Sequence, residues 1–246
     1  MEPLGEVRRY YDYVSQFWDR MYADNVPYAA AFAFIDRLRE ELRLGKSILD
    51  VACGTGLLLQ QFKDEGYETW GSDLSPEMLA LAKKKLGPEN LQLADYHDVT
   101  VDTPVDVIVS FFNSFHYCLD ASDLRVVLTH LREFLVPGGL LVFDLHTDED
   151  PQESIIAKTY KFPEALISHT IVIVPQDGVF HSEFVFVIYD RVAKERHIVT
   201  RETDRGIYSH QEVLECIANA GFEDRTPAEG YMGATETFVA RVPLTQ

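Results

Sequence analysis

Three aspartates and one glycine-rich turn carry the clearest chemical signal in this 246-residue sequence. Asp50, Asp73 and Asp95 each lie at the end of a short, largely apolar run. A Gly-Thr-Gly turn at 54–56 follows the first of these runs and precedes a second apolar run. A glycine turn between a strand and a helix lets a ligand approach the backbone, and several nucleotide-like ligands use such a turn. The turn alone therefore predicts a nucleotide-like ligand without choosing its class.

The residues around the turn favour a cationic ligand over a dinucleotide. A dinucleotide site usually reads GxGxxG, whereas Leu59 stands at the third glycine position here. A pyrophosphate gains nothing from the nearby Asp50 carboxylate. Asp73 can accept hydrogen bonds from both hydroxyls of a ribose, and Asp95 can accept one from an adenine amino group. Three carboxylates at one sheet edge thus predict a cationic ligand that contains adenosine.

Strand and helix signals alternate from residue 47 to residue 145 and must position these side chains. The apolar runs predict strands at 47–52, 67–74, 90–95, 104–112 and 140–145. Capped helical patterns lie between them at 56–66, 75–87 and 121–139. This alternation is typical of βαβ units, so an α/β fold with a parallel sheet and right-handed crossovers is predicted.

After residue 145 the alternation stops. Residues 166–201 alternate apolar and polar side chains, with turn signals at 175–178 and 191–195, and predict an antiparallel meander of about three strands. A capped helix at 209–222 and a strand at 235–242 follow. We therefore predict a ligand-binding domain over 1–150 and 207–246, with N-terminal helices over 1–44. The β region over 151–206 is predicted to be an insertion after the fifth strand.

Composition narrows the classes of partner. Aspartate and glutamate number 40 against 22 lysines and arginines, which gives a net charge of −18. Because this charge repels a phosphate backbone, nucleic acid is not expected as a partner. Apolar runs such as "FVFVIY" are much shorter than a membrane span and no signal-peptide core is present, so we expect a cytoplasmic protein without membrane contact. Cys53, Cys118 and Cys216 lack CxxC spacing and predict neither a disulfide framework nor a metal site.

Five segments resemble, in order, the motifs of the class I S-adenosylmethionine-dependent methyltransferases. They are "LDVACGTG", "GSDLSPEMLALAKKKL", "LQLAD", "VDVIVSFFNSFHY" and "LREFLVPGGLLVFDL". The resemblance implies a Rossmann-like three-layer α/β sandwich with a mostly parallel seven-stranded sheet and an antiparallel last strand. It also implies S-adenosyl-L-methionine as the cofactor and S-adenosyl-L-homocysteine as the product.

The resemblance assigns cofactor contacts to residues at the strand ends. It implies that the methionine part faces Asp50, Ala52, Gly54, Gly56, Phe111 and Phe112. It implies that the adenosine part contacts Asp73 at the ribose, Asp95 at the adenine amino group, and Leu74, Met78 and Tyr96 around the adenine ring. Leu74 and Met78 also suit an ordinary core, and Tyr96 also suits the surface; both alternatives stay open.

Candidates on the acceptor side follow the fourth and fifth strands. Methyl transfer from a sulfonium is an in-line displacement, so a base is needed only if the acceptor must first lose a proton. His116 is the predicted general base because an imidazole titrates near neutral pH, and Tyr117 is the second candidate. A histidine that is only hydrogen-bonded is the alternative. Asn113, Ser114, Asp144 and His146 lie at the same strand ends.

The N-terminal segment "YYDYVSQFWDRMYADNVPY" resembles the lid helix of related small-molecule methyltransferases. Their Tyr-Asp pair appears here as Trp18-Asp19. Tyr11, Tyr22 and Tyr28 are predicted contacts of the lid with the cofactor, with the apolar face of a docking helix as the alternative. The insertion resembles the sheet that covers the acceptor or forms an oligomer in enzymes acting on small amines or nucleotide-linked amino sugars. A homodimer is left open.

The predicted function is methyl transfer from S-adenosylmethionine to a small molecule, with nitrogen slightly favoured over oxygen. One alternative is an NAD-dependent oxidoreductase, which would bind NADH and not S-adenosylhomocysteine. Another is a non-catalytic S-adenosylmethionine-binding protein, which would bind the cofactor without turnover. The acceptor itself has no signature in the sequence.

Overall fold

A computed structural model describes residues 3–22, 27–148, 151–227 and 235–244. The helices are α1 (Pro3–Tyr22), α2 (Tyr28–Leu42), α3 (Leu57–Asp64), α4 (Pro76–Leu86), α5 (Ala121–Arg132) and α6 (His210–Asn219), with a short 3-10 helix at Ser114–Tyr117. The strands are β1 (Ser47–Val51), β2 (Glu68–Asp73), β3 (Leu91–Leu93), β4 (Val105–Ser110), β5 (Leu135–Leu145), β6 (Ser154–Lys161), β7 (Ala165–Gln176), β8 (Val179–Asp190), β9 (Glu195–Gly206), β10 (Glu223–Asp224) and β11 (Glu236–Arg241).

The larger sheet has seven strands in the order β10-β11-β5-β4-β1-β2-β3. β1 pairs in parallel with β2 and β4, and β5 pairs in parallel with β4. β11 runs antiparallel to β5. The strand order reverses between β1 and β4, and in open α/β sheets ligands bind outside the carboxyl ends at such a reversal. The predicted mostly parallel seven-stranded sheet with an antiparallel last strand is confirmed.

Helices cover both faces of this sheet. Within β5, Leu141 and Phe143 belong to the core formed with α5 and α6. Their neighbours Leu140 and Val142 belong to the core formed with α2, α3 and α4. Successive residues of a strand point to opposite faces, so the continuous apolar run of β5 is what a strand buried on both sides requires. The three-layer arrangement is confirmed.

Two element boundaries differ from the sequence prediction. The helix predicted to reach residue 139 ends at Arg132, and β5 begins at Leu135 rather than at residue 140. Gly138 has a positive φ of 83°, and the pairing of β4 with β5 shifts register between Val105 and Val107. The Pro-Gly-Gly segment is therefore an irregular part of the strand. β10, which has two residues, was not located from the sequence because so short a strand leaves no periodicity.

The segment after β5 forms a separate sheet of four antiparallel strands in the order β6-β7-β8-β9. The inserted antiparallel meander is confirmed, but the prediction of about three strands missed β6. Most side chains of β6 are exposed, so no inward and outward alternation marks it. The predicted upper limit of the first domain segment, residue 150, lies outside the described residues. The division into domains stays a prediction.

One face of the four-stranded sheet packs against α1. Val14 and Met21 of the helix are buried together with Ile167, Phe186 and Ile188 of the sheet. This contact holds α1 beside the edge of the seven-stranded sheet. None of the described helices is long and apolar enough to cross a membrane.

Candidate functional site

A cavity lies at the carboxyl edge of the parallel strands, beside α1. It encloses about 1020 Å³ when the space at its open mouth is counted, the upper end of the range for small-molecule sites. Its lining includes these predicted site residues: Tyr11, Tyr28, Asp50, Ala52, Gly54, Asp73, Leu74, Met78, Asp95, Tyr96, Phe111, Phe112, Ser114 and Tyr117. Trp18, which was not predicted as a contact, also lines the cavity. The topology therefore gathers most of the predicted residues at one place.

The loop after β1 gives the cavity a carboxylate and open backbone. Asp50 is buried, and its burial together with the charge of Asp73 raises the pKa of the Asp50 carboxyl well above its usual value. Ala52 and Gly54 both have left-handed backbone, with φ of 63° and 55°. A Cβ on Gly54 would meet no atom within 4 Å. A ligand can therefore approach the backbone closely at Gly54.

Asp73 at the end of β2 is held by backbone amides. Its Oδ2 accepts from the Gly54 N–H at 2.7 Å, and its Oδ1 accepts from the Ser75 N–H at 2.9 Å. Burial raises the pKa of Asp73 to about 6, although these backbone hydrogen bonds act in the opposite direction. Each carboxylate oxygen keeps acceptor capacity for a further donor. The side chain can thus receive two hydroxyl groups in a fixed orientation.

Apolar and aromatic side chains continue the cavity beyond Asp73. Leu74 and Met78 both line it, and Ser75 caps α4 by accepting from the Met78 N–H at 3.1 Å. Asp95 accepts from a backbone N–H of the next turn at 2.7 Å through Oδ1. Tyr96 is buried and lies edge-on to a neighbouring phenylalanine, so its alternative placement on the surface is wrong. This part of the cavity suits a flat aromatic ring with polar edges.

The loop after β4 is strained and tied to β5. Phe112 and Asn113 both have left-handed backbone, with φ of 66° and 57°. Asp144 accepts from the Asn113 N–H at 2.9 Å, and the Asn113 side-chain oxygen accepts from the His146 N–H at 2.6 Å. Burial raises the pKa of Asp144 to about 6. These residues hold the loop in place, and none of Asn113, Asp144 and His146 is among the cavity-lining residues.

The structure places His116, the predicted general base, away from the cavity. The ring is only 2% exposed and does not line the cavity. Its Nδ1–H donates to the Gly206 carbonyl at 2.7 Å, and its Nε2 accepts from the His146 N–H at 3.2 Å. Burial lowers the pKa of His116 to about 4, so the ring is neutral near pH 7 and both nitrogens are occupied. The histidine joins the loop after β4 to the end of β9.

Gly56 and Tyr22 also lie away from the cavity lining. A Cβ on Gly56 would come within 2.9 Å of Leu86, so this glycine permits close packing of α3 on α4. Tyr22 packs against Phe112 and Tyr160 with ring centroids 6.4 Å and 6.2 Å away. The structure therefore does not support direct contact of Gly56 or Tyr22 with a ligand in the cavity.

Carboxylates of α1 tie this helix to the two loops that frame the cavity. Asp19 accepts a hydrogen bond from the Thr55 hydroxyl and pairs with Lys85, whose Nζ lies 2.6 Å from its Oδ2. Lys85 also donates to the Thr55 carbonyl at 2.7 Å. Asp12 accepts from the Ser75 hydroxyl at 2.5 Å. The helix therefore closes over the glycine turn and the start of α4.

Arg201, which was not predicted from the sequence, lies behind the cavity-lining residue Tyr117. Its side chain donates through Nη2 to the Tyr117 hydroxyl at 2.7 Å, and the Tyr117 hydroxyl lies 3.1 Å from that of Tyr11. Arg201 is a charged residue at a position of β9 where the alternation of inward and outward side chains predicts an inward one. This charge at an inward position was the signal in the sequence that could have identified it. Within the residues that the structure describes, no cluster of histidine, cysteine and carboxylate side chains has the arrangement of a metal site.

The chain matches a family model described as a methyltransferase domain over residues 48–139. It is 36% identical over 116 residues to a dTDP-3-amino-3,4,6-trideoxy-alpha-D-glucopyranose N,N-dimethyltransferase of Streptomyces venezuelae, a match that covers 47% of this chain and 49% of the relative. It is 28% identical to a putative methyltransferase of Bacillus subtilis over 72% of this chain and 73% of that protein. The first of these matches thus spans about half of the curated relative.

Solved structures share the fold over nearly the whole chain. DesVI of Streptomyces venezuelae superposes with a TM-score of 0.82 at 26% identity, covering 93% of this chain and 97% of that chain. The sugar N-methyltransferase KedS8 of Streptoalloteichus superposes with a TM-score of 0.81 at 23% identity, covering 92% of each chain. Each superposition covers more than nine tenths of this chain, so the likeness in fold extends beyond the seven-stranded sheet into the four-stranded sheet.

Proposed function

We propose that the chain is a class I S-adenosylmethionine-dependent methyltransferase and that it transfers a methyl group to a nitrogen atom of a small-molecule acceptor. The observation that carries the proposal is the row of carboxylates Asp50, Asp73 and Asp95 along one side of the cavity. S-adenosylmethionine, when bound, supplies an electrophilic methyl group on a sulfonium. An anionic wall suits this positively charged compound better than it suits a dinucleotide.

The cavity residues fit the cofactor in three parts. Asp73 would hold the ribose hydroxyls, since backbone amides fix both of its oxygens. Leu74 and Met78 would pack on the adenine, and Asp95 would accept from its amino group. The exposed backbone at Gly54 would lie against the methionine part, with Asp50 nearby as its counter-charge.

The remaining cavity residues would hold the acceptor. Trp18, Phe112 and Tyr117 make a largely aromatic wall that excludes water and aligns the acceptor nitrogen with the methyl group. No described histidine lines this wall. An amine can lose its proton to water before it binds, so the transfer does not require a buried base.

We propose an amino sugar linked to a nucleotide as the first acceptor class to test. Two relatives that are 36% and 32% identical to this chain, each over 116 residues, are named as N,N-dimethyltransferases of dTDP-amino sugars. In this proposal residues 1–150 and 207–246 bind the cofactor, and the four-stranded insertion covers the acceptor.

We also propose that the protein works in the cytoplasm. Its three cysteines are free thiols, which suits a reducing compartment.

Calorimetry tests the cofactor proposal. The protein at micromolar concentration is titrated with S-adenosylhomocysteine and, separately, with NADH. We expect saturable heat with the first ligand and none with the second. Absence of heat with S-adenosylhomocysteine would overturn the proposal, and heat with NADH alone would favour an oxidoreductase.

A methyl-release screen tests the acceptor. dTDP-amino sugars, simple amines and phenols are each incubated with the protein and S-adenosylmethionine. We expect turnover with amines and none with phenols. Cofactor binding without turnover on any amine would favour the non-catalytic binding protein instead.

A further inference from the structure

Arg201 is a buried cation enclosed by aromatic rings. It projects from β9 and is only 3% exposed. Its guanidinium carbon lies 4.5 Å from the ring centroid of Tyr10 and 4.2 Å from that of Phe184. The rings of Tyr11 and Tyr117 lie 5.3 Å and 5.4 Å away. Cation–π contacts of this kind stabilise the guanidinium without supplying hydrogen-bond acceptors for its N–H groups.

Two nitrogen atoms of Arg201 have no hydrogen-bond partner. Nη2 donates to Tyr117, whereas Nε and Nη1 are buried and unpaired. No ion pair joins Arg201 to a carboxylate of the described residues, although the chain carries a net charge of −18. Buried donors, and buried charges above all, normally have partners. Arg201 is therefore a buried positive charge without a carboxylate counter-ion among the described residues.

A second cation lies on the same strand. Arg205 is half-buried, and its guanidinium carbon lies 5.7 Å from the Phe184 ring, which Arg201 also contacts. Its Nε donates to the Ser182 hydroxyl at 3.0 Å, and it forms no ion pair with a described carboxylate. Two neighbouring arginines without carboxylates make a local positive region in an acidic protein.

Two phenols connect this positive region to the cavity. Tyr11 and Tyr117 both line the cavity, and their hydroxyls share one hydrogen bond of 3.1 Å. Whichever hydroxyl donates in that bond, the other keeps an O–H group that can donate to a ligand. Arg201 is bonded to one of these oxygens, so its charge strengthens the donor.

We infer that Arg201, acting with Tyr11 and Tyr117, binds an oxyanion carried by the methyl acceptor. The phenol donates to the anion directly, the guanidinium supplies the positive charge behind it, and Arg205 adds a second charge. The anion is a phosphate or a carboxylate group of the acceptor, since both match the donors present. The inference rests on the proposed function, because it assigns this wall to the acceptor.

The test uses anion probes on the protein saturated with S-adenosylhomocysteine. Inorganic pyrophosphate and malonate are titrated separately into the wild type and into Arg201→Met, Arg201→Lys and Tyr117→Phe variants. Arg196→Met is the matched control, since Arg196 is an exposed arginine of the same strand. The affinity for S-adenosylhomocysteine is measured for every variant to show that the fold is intact.

We expect one or both anions to bind the wild type. Their affinity for Arg201→Met should be at least tenfold lower. Tyr117→Phe should weaken binding several-fold, and Arg201→Lys should keep most of the affinity because it keeps the charge. Arg196→Met should bind as the wild type does. Preference for pyrophosphate identifies a phosphate-bearing acceptor, and preference for malonate identifies a carboxylate.

Two results would overturn the inference. One is a wild type that binds S-adenosylhomocysteine but neither anion at millimolar concentration. The other is an anion affinity that is the same as in the wild type for Tyr117→Phe, for Arg201→Lys and, if that variant folds, for Arg201→Met. In both results the cofactor proposal stands, whereas loss of S-adenosylhomocysteine binding in the wild type would reject the proposed function itself.

Discussion

The two walls of the cavity differ in charge and in construction. The strand-end wall consists of Asp50, Asp73 and Asp95. The lid wall consists of Tyr11 and Tyr117, with Arg201 bonded to Tyr117 behind it. Backbone amides next to the strand ends hold the carboxylates of Asp73 and Asp95. Side chains hold the lid wall together, through hydrogen bonds between residues 106 and 84 positions apart in the chain.

This difference separates two tasks within one cavity. The strand-end wall is negative and its geometry comes from the local turns of an α/β sheet, which suits a ligand of constant structure. The lid wall is positive and depends on how α1 and the four-stranded sheet pack together, so its chemistry can change without disturbing the first wall. We therefore expect substitutions to affect one wall at a time.

The largest effect is expected for Asp73→Ala on the strand-end wall. The variant loses two hydrogen bonds from ribose hydroxyls to a charged group, each worth roughly 1.5–3 kcal/mol, so the affinity for S-adenosylhomocysteine should fall about 100-fold or more. Calorimetry measures the change. Asp98→Ala, at an exposed aspartate of the following loop, should bind normally. An affinity of Asp73→Ala within threefold of the wild type would remove the ribose assignment.

The two glycines of the turn should respond differently to alanine. Gly56→Ala places a Cβ 2.9 Å from Leu86 in left-handed backbone, so its free energy of unfolding should fall by about 2–3 kcal/mol. Gly54→Ala has free space, so it should lose only about 1 kcal/mol of stability while its Cβ lowers cofactor affinity about tenfold. Urea unfolding and calorimetry separate the two effects. Equal loss of stability in both variants would contradict this division.

Cofactor binding should weaken in acid because the strand-end wall becomes protonated. The pKa of Asp73 is raised to about 6. Only the ionised carboxylate accepts from both ribose hydroxyls with its full charge, so affinity for S-adenosylmethionine should fall about tenfold between pH 7 and pH 5. Asp144 also has a pKa raised to about 6 but does not line the cavity, so Asp144→Asn should keep this pH dependence. An affinity independent of pH in the wild type would contradict the prediction.

The raised pKa of Asp73 should make the ligand-free protein more stable in acid, which is the opposite of its effect on cofactor affinity. The pKa of Asp73 in the fold lies above its value of 3.8 in the unfolded chain. Its contribution to the free energy of unfolding is therefore fully present below about pH 4 and is lost as the pH rises through about 6. Saturating cofactor should reverse this trend, which thermal unfolding at pH 5 and pH 7 can measure.

The smallest effect is expected where α1 meets the strand-end wall. Lys85→Met removes the ion pair with Asp19 and the bond to the Thr55 carbonyl. Partly exposed pairs contribute up to about 1 kcal/mol, so affinity for S-adenosylhomocysteine should fall roughly threefold. Lys84→Met, at the exposed neighbouring lysine, is the control. A loss as large as that of Asp73→Ala would mean that the helix itself carries the cofactor site.

The sequence was sufficient to predict the larger sheet because its strands are apolar on both faces and are separated by capped helices. It was not sufficient for β6, whose side chains are mostly exposed, or for β10, which has two residues. His116 shows the same limit at a single residue. From its position after β4, this imidazole could be a base that faces the cavity or a hydrogen-bonded side chain in the core. Only the hydrogen bonds to Gly206 and His146 distinguish these two placements.

The sequence by itself determined the strand-end wall, because parallel strands bring their carboxyl ends to one edge and the aspartates stand at those ends. Only the tertiary structure decided the lid wall. Arg201, Tyr117 and Tyr11 come from β9, the 3-10 helix and α1, and no local spacing relates them. Their contact depends on the docking of α1 against the four-stranded sheet, a packing of side chains that is determined by the whole fold and not by any one segment.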